Sequence, residues 1–193
     1  DEQIHHKNAF VYLNLGDSYF RLQQYDSAKL YSQQSFDIAS SNNDNQAKGL
    51  SLSIMGKVCS ETGLKKIAME YYRQSIAFSK IVDNIRSVSS TLMHTAKLFE
   101  IEGQKDSALF YANQSYKYSV ESKFSDYVMY ASEFLSEFYK KNGNKDSAYH
   151  YLEVASIIKD TLYKQQGVNQ LYDLAFNEKN RQIEIKTASI NAD

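Results

Sequence analysis

Alanines stand at positions 28, 68, 108 and 148, always forty residues apart, and each sits inside a longer copy of one motif. The clearest copies are Gly103-Gln-Lys-Asp-Ser-Ala-Leu-Phe-Tyr111 and Gly143-Asn-Lys-Asp-Ser-Ala-Tyr-His-Tyr151. Gln24-Tyr-Asp-Ser-Ala-Lys-Leu-Tyr31 is an earlier copy, and Gly63-Leu-Lys-Lys-Ile-Ala-Met-Glu-Tyr71 a looser one. Self-similarity at a fixed period restricts a chain to architectures built by stacking one supersecondary unit.

Each unit reads as two helices. In the first, Tyr12, Leu15, Tyr19 and Leu22 fall at i, i+3, i+7 and i+10, a single stripe of a helix. Leu52, Met55 and Cys59 hold the corresponding places in the second unit, Leu92 and Phe99 in the third, Leu135 and Tyr139 in the fourth. A small residue recurs between them at Gly16, Gly56, Ala96 and Ser136, where a neighbouring helix can approach closely. Gly63, Gly103 and Gly143 are placed to end three first helices in a left-handed conformation, with Gln23 in that place in the first unit. Asp26, Asp106 and Asp146 follow as caps for the second helices, and Ser125 is placed to cap a first helix. The second helices carry the repeated alanine, then Tyr31, Tyr71, Tyr111 and Tyr151, then small residues at Ser35, Ser75, Ser115 and Ala155. Small positions beside aromatic ones suit ridge-into-groove packing of antiparallel helices, and one such hairpin must stack on others to bury its apolar face.

This small–large–small spacing resembles the tetratricopeptide repeat (TPR) family. Tyr12, Leu15-Gly16, Tyr19 and Ala28 match its pattern in the first unit, as do Met55-Gly56 and Ala68-x-x-Tyr71-Tyr72 in the second. No Pro closes a unit, Ser replaces the last Ala in three of them, and the period is forty rather than about 34. The surplus falls around Ser41–Lys48, Ile81–Val88 and Glu121–Val128. The resemblance implies an all-α, right-handed α-solenoid of four TPR-like hairpins over residues 1–160, at about 8–40, 46–81, 87–121 and 127–160. Residues 161–193 are expected to form a C-terminal capping helix, leading to a membrane span or output domain if the protein is longer. Within it, Thr161–Gly167 reads as a junction or a continuation and Val168–Phe176 as a fresh helix; Phe176, Ile183 and Ile190 are spaced as a weak coiled-coil seam, with capping the favoured role.

Composition narrows function by exclusion. Pro is absent from all 193 residues, which suits long unbroken helices. A net charge of −1, with Lys and Arg scattered among acids, gives no basic stripe for direct nucleic-acid contact. The sixteen Tyr are accounted for mainly by repeat-core positions. Cys59 takes an apolar core position and is read as a buried hydrophobe. No apolar run is long enough to span a membrane. The chain begins at Asp1 without Met, as a processed protein or a piece of a longer one would. The neighbouring His5 and His6 do not share a helix face and are read as surface. There is no phosphate-cradling Gly-rich loop, no His-Glu-x-x-His and no Cys pair, so the sequence predicts no catalytic residues, no metal site and no cofactor.

What remains is a surface. In TPR arrays the first helices line a concave face that holds ligands. The resemblance places inward positions at Leu13, Asp17, Phe20 and Arg21; at Ser53, Lys57, Ser60 and Glu61; at Met93, Lys97 and Glu100; and at Glu133, Glu137 and Lys140. Family members that clamp a chaperone's C-terminal carboxylate use Lys and Asn. The matching positions here are Leu13, Asp17, Ile54, Ser90 and His94, so that activity is not expected. The reading is a non-catalytic module for a protein or peptide partner, with self-association as a homodimer left open. The run Tyr151–Tyr163, followed by a polar helix, resembles the end of TPR sensor regions in membrane-anchored transcriptional regulators common in Bacteroidetes. That resemblance implies the periplasmic portion of a signalling protein. The alternatives are a cell-envelope scaffold and a cytoplasmic peptide receptor.

Overall fold

The structure is a computed structural model that describes residues 2–190, with side chains described over 8–184. Among the described residues there are eight α-helices and no strand: α1 (Glu2–Arg21), α2 (Tyr25–Ser41), α3 (Asn45–Glu61), α4 (Lys65–Ile81), α5 (Ile85–Ile101), α6 (Lys105–Glu121), α7 (Ser125–Lys141) and α8 (Lys145–Ile190). His5, His6 and Ile190 lie outside the described side chains.

Every connection is the same short turn. One residue in each has a positive φ: Gln23, Asn43, Gly63, Asp83, Gly103, Lys123 and Gly143, twenty positions apart throughout. In each, the next residue's N–H donates back to a carbonyl five residues earlier, as Leu64 does to Cys59 and Gln104 to Phe99. That is the Schellman closure of a helix C-terminus. The same next residue serves as N-cap of the following helix. The forty-residue period is therefore two equal halves. The length beyond a shorter repeat lies in the helices, 17 residues each from α2 to α7, and not in the inter-unit stretches where the sequence suggested it.

The caps differ from expectation for the same reason. Asp26, Asp106 and Asp146 lie inside the first helical turn, where they favour the positive end of the helix dipole. Asp44, Asn84 and Asn144 instead accept hydrogen bonds from backbone N–H groups three residues on. Phe124, not Ser125, holds the N-cap position of α7.

The hairpins α1–α2, α3–α4, α5–α6 and α7–α8 stack in chain order, making an all-α solenoid. The first helices also touch one another (α1 with α3, α3 with α5, α5 with α7), whereas among the described residues the second helices do not. Contact along one layer and splay along the other makes the first-helix layer the inner, concave one.

Packing follows the small positions. A methyl group added at Gly16 would collide with Ser32 Oγ, and one at Gly56 would lie 2.5 Å from the Tyr72 ring. Beside them, stacked rings join the two helices of a hairpin: Tyr19 on Tyr31 at 5.2 Å, Phe99 on Tyr111 at 5.3 Å, and Tyr139 on Tyr151 at 5.8 Å. In the second hairpin Cys59 leaves no ring for Tyr71. There the next residue, Tyr72, is buried over Gly56 and stacks on His94 at 6.1 Å. Ser35, Ser75 and Ser115 donate 2.7 Å hydrogen bonds to the carbonyls of Ala9, Gly49 and Ser89, tying each second helix to its partner's backbone.

The predicted stripe of the first helix is only partly buried. Leu15 and Leu22 are exposed, while Met55 and Leu135, the counterparts of Leu15, are buried. α3 and α7 each pack against a preceding hairpin, and among the described residues none packs on α1 from that side. At the other end, residues 168–176 form no separate helix, because α8 runs unbroken from Lys145 to Ile190. Beyond Leu162 its described side chains are exposed, Phe176 and Ile183 among them.

Two outcomes test this account. Lys123 sits at φ 58° and Gly103 at φ 72°. Lys123→Gly is expected to stabilise the fold by about 1 kcal/mol and Gly103→Ala to destabilise it by a similar amount, read as opposite shifts of the urea midpoint at constant slope. The second concerns pH. Burial drives the His94 imidazole down to about 3, and Lys57 and Lys97 push in the same direction. In the unfolded chain its pKa returns to near 6.5, so below that pH the unfolded state binds a proton that the folded state refuses. Stability should fall as pH drops from about 6.5 toward 5, and His94→Gln should flatten that slope. Parallel slopes would show that His94 titrates normally.

Candidate functional site

On the inner layer, α1, α3 and α5 share a cavity of about 380 Å³. Leu13, Asn14 and Asp17 come from α1, and Leu50, Ser53, Ile54 and Lys57 from α3. These are i, i+3, i+4 and i+7 positions, one helix face in each case. The third wall is Asn84 with Arg86, Ser87, Ser90 and His94, and Tyr127 of α7 closes the side. Because every helix enters from the same turn, equivalent positions of consecutive units stand side by side.

That alignment builds ion pairs between units. Lys57 Nζ donates to Asp17 Oδ1 at 2.8 Å and lies 4.6 Å from the Phe20 ring centroid. Arg21 Nε donates to the other oxygen of Asp17 at 2.7 Å. Burial pushes the Asp17 carboxyl up, but the hydrogen bonds and charges of Lys57 and Arg21 together outweigh it and leave the pKa below the ordinary value. Arg86 Nη1 reaches Asp126 Oδ2 at 2.6 Å, forty positions on, with its guanidinium 4.7 Å from the Phe124 ring and 5.3 Å from Tyr127. Lys141 pairs with Glu100 at 2.9 Å. The cavity thus has a cation at two edges, each already oriented by a carboxylate, and a neutral His94 in its wall.

Of the positions anticipated from sequence, Leu13, Asp17, Ser53 and Lys57 line this cavity, and Phe20 and Arg21 support it through their contacts with Lys57 and Asp17. Ser60 lies against the Tyr72 hydroxyl. Met93 is buried in the core with Ala96, Ala112, Ala131 and Leu135. Glu61, Lys97, Glu133, Glu137 and Lys140 are exposed outside the cavity, and Glu100 is engaged by Lys141. The sequence reading did not gather Asn14, Leu50, Asn84, Arg86, Ser87 or Tyr127 into the site. Its signal was available: extending the stripe through Asp17 and Lys57 back by one and two turns reaches Leu13, Ile54, Leu50, Ser90 and Arg86. Ile54, Ser90 and His94, compared only with a carboxylate clamp, do line the cavity.

The arrangement offers hydrogen-bonding groups, two cations and an apolar floor, and no activated nucleophile. Cys59 is buried and its thiol pKa is raised by that burial. No group of three or more metal-ligating side chains occurs among the described residues. No helix among them is long and apolar enough to cross a membrane.

Comparison with known proteins agrees with this architecture. Residues 8–81 match the tetratricopeptide repeat family. No curated protein matches the sequence. Among solved structures, aspartyl phosphate phosphatase F from Bacillus subtilis is similar at 14% identity and a TM-score of 0.77, covering 82% of this chain and 42% of that one. The Rap conjugation gene regulator of plasmid pLS20, solved with the Phr* peptide, is similar at 16% identity and a TM-score of 0.74, covering 81% and 43%. TPR-like repeats of a Podosopora anserina kinesin light chain give 19% identity and a TM-score of 0.64, covering 82% and 78%. The chain thus spans less than half the length of the first two. At these identities the likeness is one of fold. The first two hairpins thus match the tetratricopeptide repeat family, and the next two are built on the same turns, small positions and stacked rings.

Proposed function

We propose that this array is a non-catalytic binding module whose partner is an extended peptide or protein segment lying along the inner layer. The observation that carries this reading is the 380 Å³ cavity, built from one face of three successive first helices and edged by Lys57 and Arg86. A preformed solenoid surface costs little ordering on binding. The ion pairs with Asp17 and Asp126 fix both cations before a ligand arrives. The Rap regulator's structure with a bound peptide supports a peptide as the ligand class.

We read the module further as the sensing region of a bacterial signal-transduction or transcriptional regulator, on the periplasmic side of a membrane-anchored protein. The continuation of α8 beyond the fourth hairpin, as a helix free of the array, supports a connection to something further along. A cytoplasmic peptide receptor is the competing setting, supported by the same Rap likeness. The gene sequence after residue 193 decides between them. An apolar span followed by a helix-turn-helix or kinase domain is expected, and a stop codon there would refute the regulator reading.

The cavity itself is tested by selecting peptides from a random displayed library against the wild-type chain. Enriched peptides are expected to bind Lys57→Glu and Arg86→Glu variants at least about tenfold more weakly, because each reversal places like charge beside Asp17 or Asp126 and removes a cation from the edge. Equal affinity for wild type and both variants would place the peptide site elsewhere.

A further inference from the structure

The outer layer carries a second cavity of about 370 Å³, between α4 and α6 over the back of α5. Its floor includes Thr95, at the repeat position held by Met55 on α3 and Leu135 on α7. All three are buried. Over α5 the residue is Thr95, whose hydroxyl is turned away to the Thr91 carbonyl at 2.8 Å. The shorter side chain leaves the gap unfilled. Leu92 and Phe99 continue its floor, Ile76 forms one wall, and Tyr111 and Tyr118 the other.

The rim is cationic. Arg73 and Lys80 line it with Gln114, and no lining residue is acidic. Arg73 is committed to Glu70 by bonds of 2.8 and 3.1 Å. Lys80 makes no ion pair among the described residues, and its ammonium lies 5.6 Å from the Tyr118 ring centroid. A half-enclosed apolar cleft with one free cation at its mouth suits a ligand with the complementary division.

We propose that this cleft binds a small anionic amphiphile, a medium-chain fatty carboxylate, with its alkyl chain over Thr95 and its carboxylate at Lys80. The site lies on the opposite face from the peptide cavity and does not depend on it. Its size is that of small-molecule pockets, roughly 300–1,000 Å³, rather than of a protein-docking surface.

Calorimetric titration with decanoate below its micelle concentration tests the assignment. The wild-type chain is expected to bind one equivalent. Thr95→Met, which installs the side chain found at position 55, should weaken binding at least tenfold while leaving the unfolding temperature equal or higher. Lys80→Glu should weaken decanoate about tenfold and leave uncharged decanol unaffected. Absence of saturable binding to the wild type overturns the proposal. So does wild-type affinity in a folded Thr95→Met variant, or equal loss of decanoate and decanol on Lys80→Glu. Saturable binding of an acidic apolar peptide without decanoate would assign the cleft to a protein partner and overturn it too.

Discussion

Seven turns with one left-handed residue each, spaced every twenty positions, set the register of the whole molecule. Each turn stops a helix after the same number of residues and starts the next in the same phase. Four of the seven use Gln, Asn, Asp or Lys at that position, where glycine is less strained, so the geometry is held by more than local preference. The hydrogen bonds that close the turn are common to all seven. The tight approach at Gly16, Gly49 and Gly56 also requires the two helices of those hairpins to meet at fixed points. Residues forty apart then become spatial neighbours, and Asp17 meets Lys57 as Arg86 meets Asp126 for that reason.

The same register gives the two layers different chemistry. First helices in mutual contact bring side chains of three units into one cavity, and polar and charged groups there orient one another. Second helices, held apart, meet only the backs of the first helices. The cleft between α4 and α6 has an apolar floor that includes the short side chain of Thr95, and a cationic rim. Between the layers, Ser35, Ser75 and Ser115 occupy places where the repeat pattern has alanine. Each hydroxyl is satisfied by a carbonyl of its partner helix, so this polar substitution adds a cross-helix bond at a buried site rather than an unmatched group. Ser51 and Thr91 extend the contacts toward Ser35 and Ser75, so the serine links join consecutive hairpins as well.

Much of the fold was legible because period and residue size are properties of the string itself. The recurring alanines, the small residues at 16, 56, 96 and 136, and the left-handed Gly63, Gly103 and Gly143 all carry a local signature. Helix starts were harder. Asp-Ser pairs look like caps, but the turn places the cap one or two residues earlier, at positions as unlike as Gln24, Leu64 and Phe124. Leu15 and Leu22 show a different limit, since periodicity identifies an apolar face without saying whether a neighbour covers it. The long α8 shows the reverse. Its polarity suggested an end-cover, yet no signal in residues 161–167 breaks the helix, and it simply continues. For the site, a stripe of inward positions was within reach, but its depth was not. Met93 and Lys97 are one turn apart, and only packing decides that one is buried and the other exposed.

What distinguishes this array from a uniform repeat is concentrated on α5 and the helices beside it. Cys59 withholds the ring that other hairpins stack on their second-helix tyrosine, and Tyr72 occupies the inner side of the hairpin instead. Tyr72 in turn meets His94, whose burial beside Lys57 and Lys97 keeps it neutral. The adjacent residue, Thr95, faces the opposite way and leaves the outer gap open. Two neighbouring positions on one helix therefore border the inner and the outer cavity. Thr91, one turn before Thr95, is the polar junction between them: its carbonyl accepts from Thr95, and its hydroxyl meets those of Ser53 and Ser75.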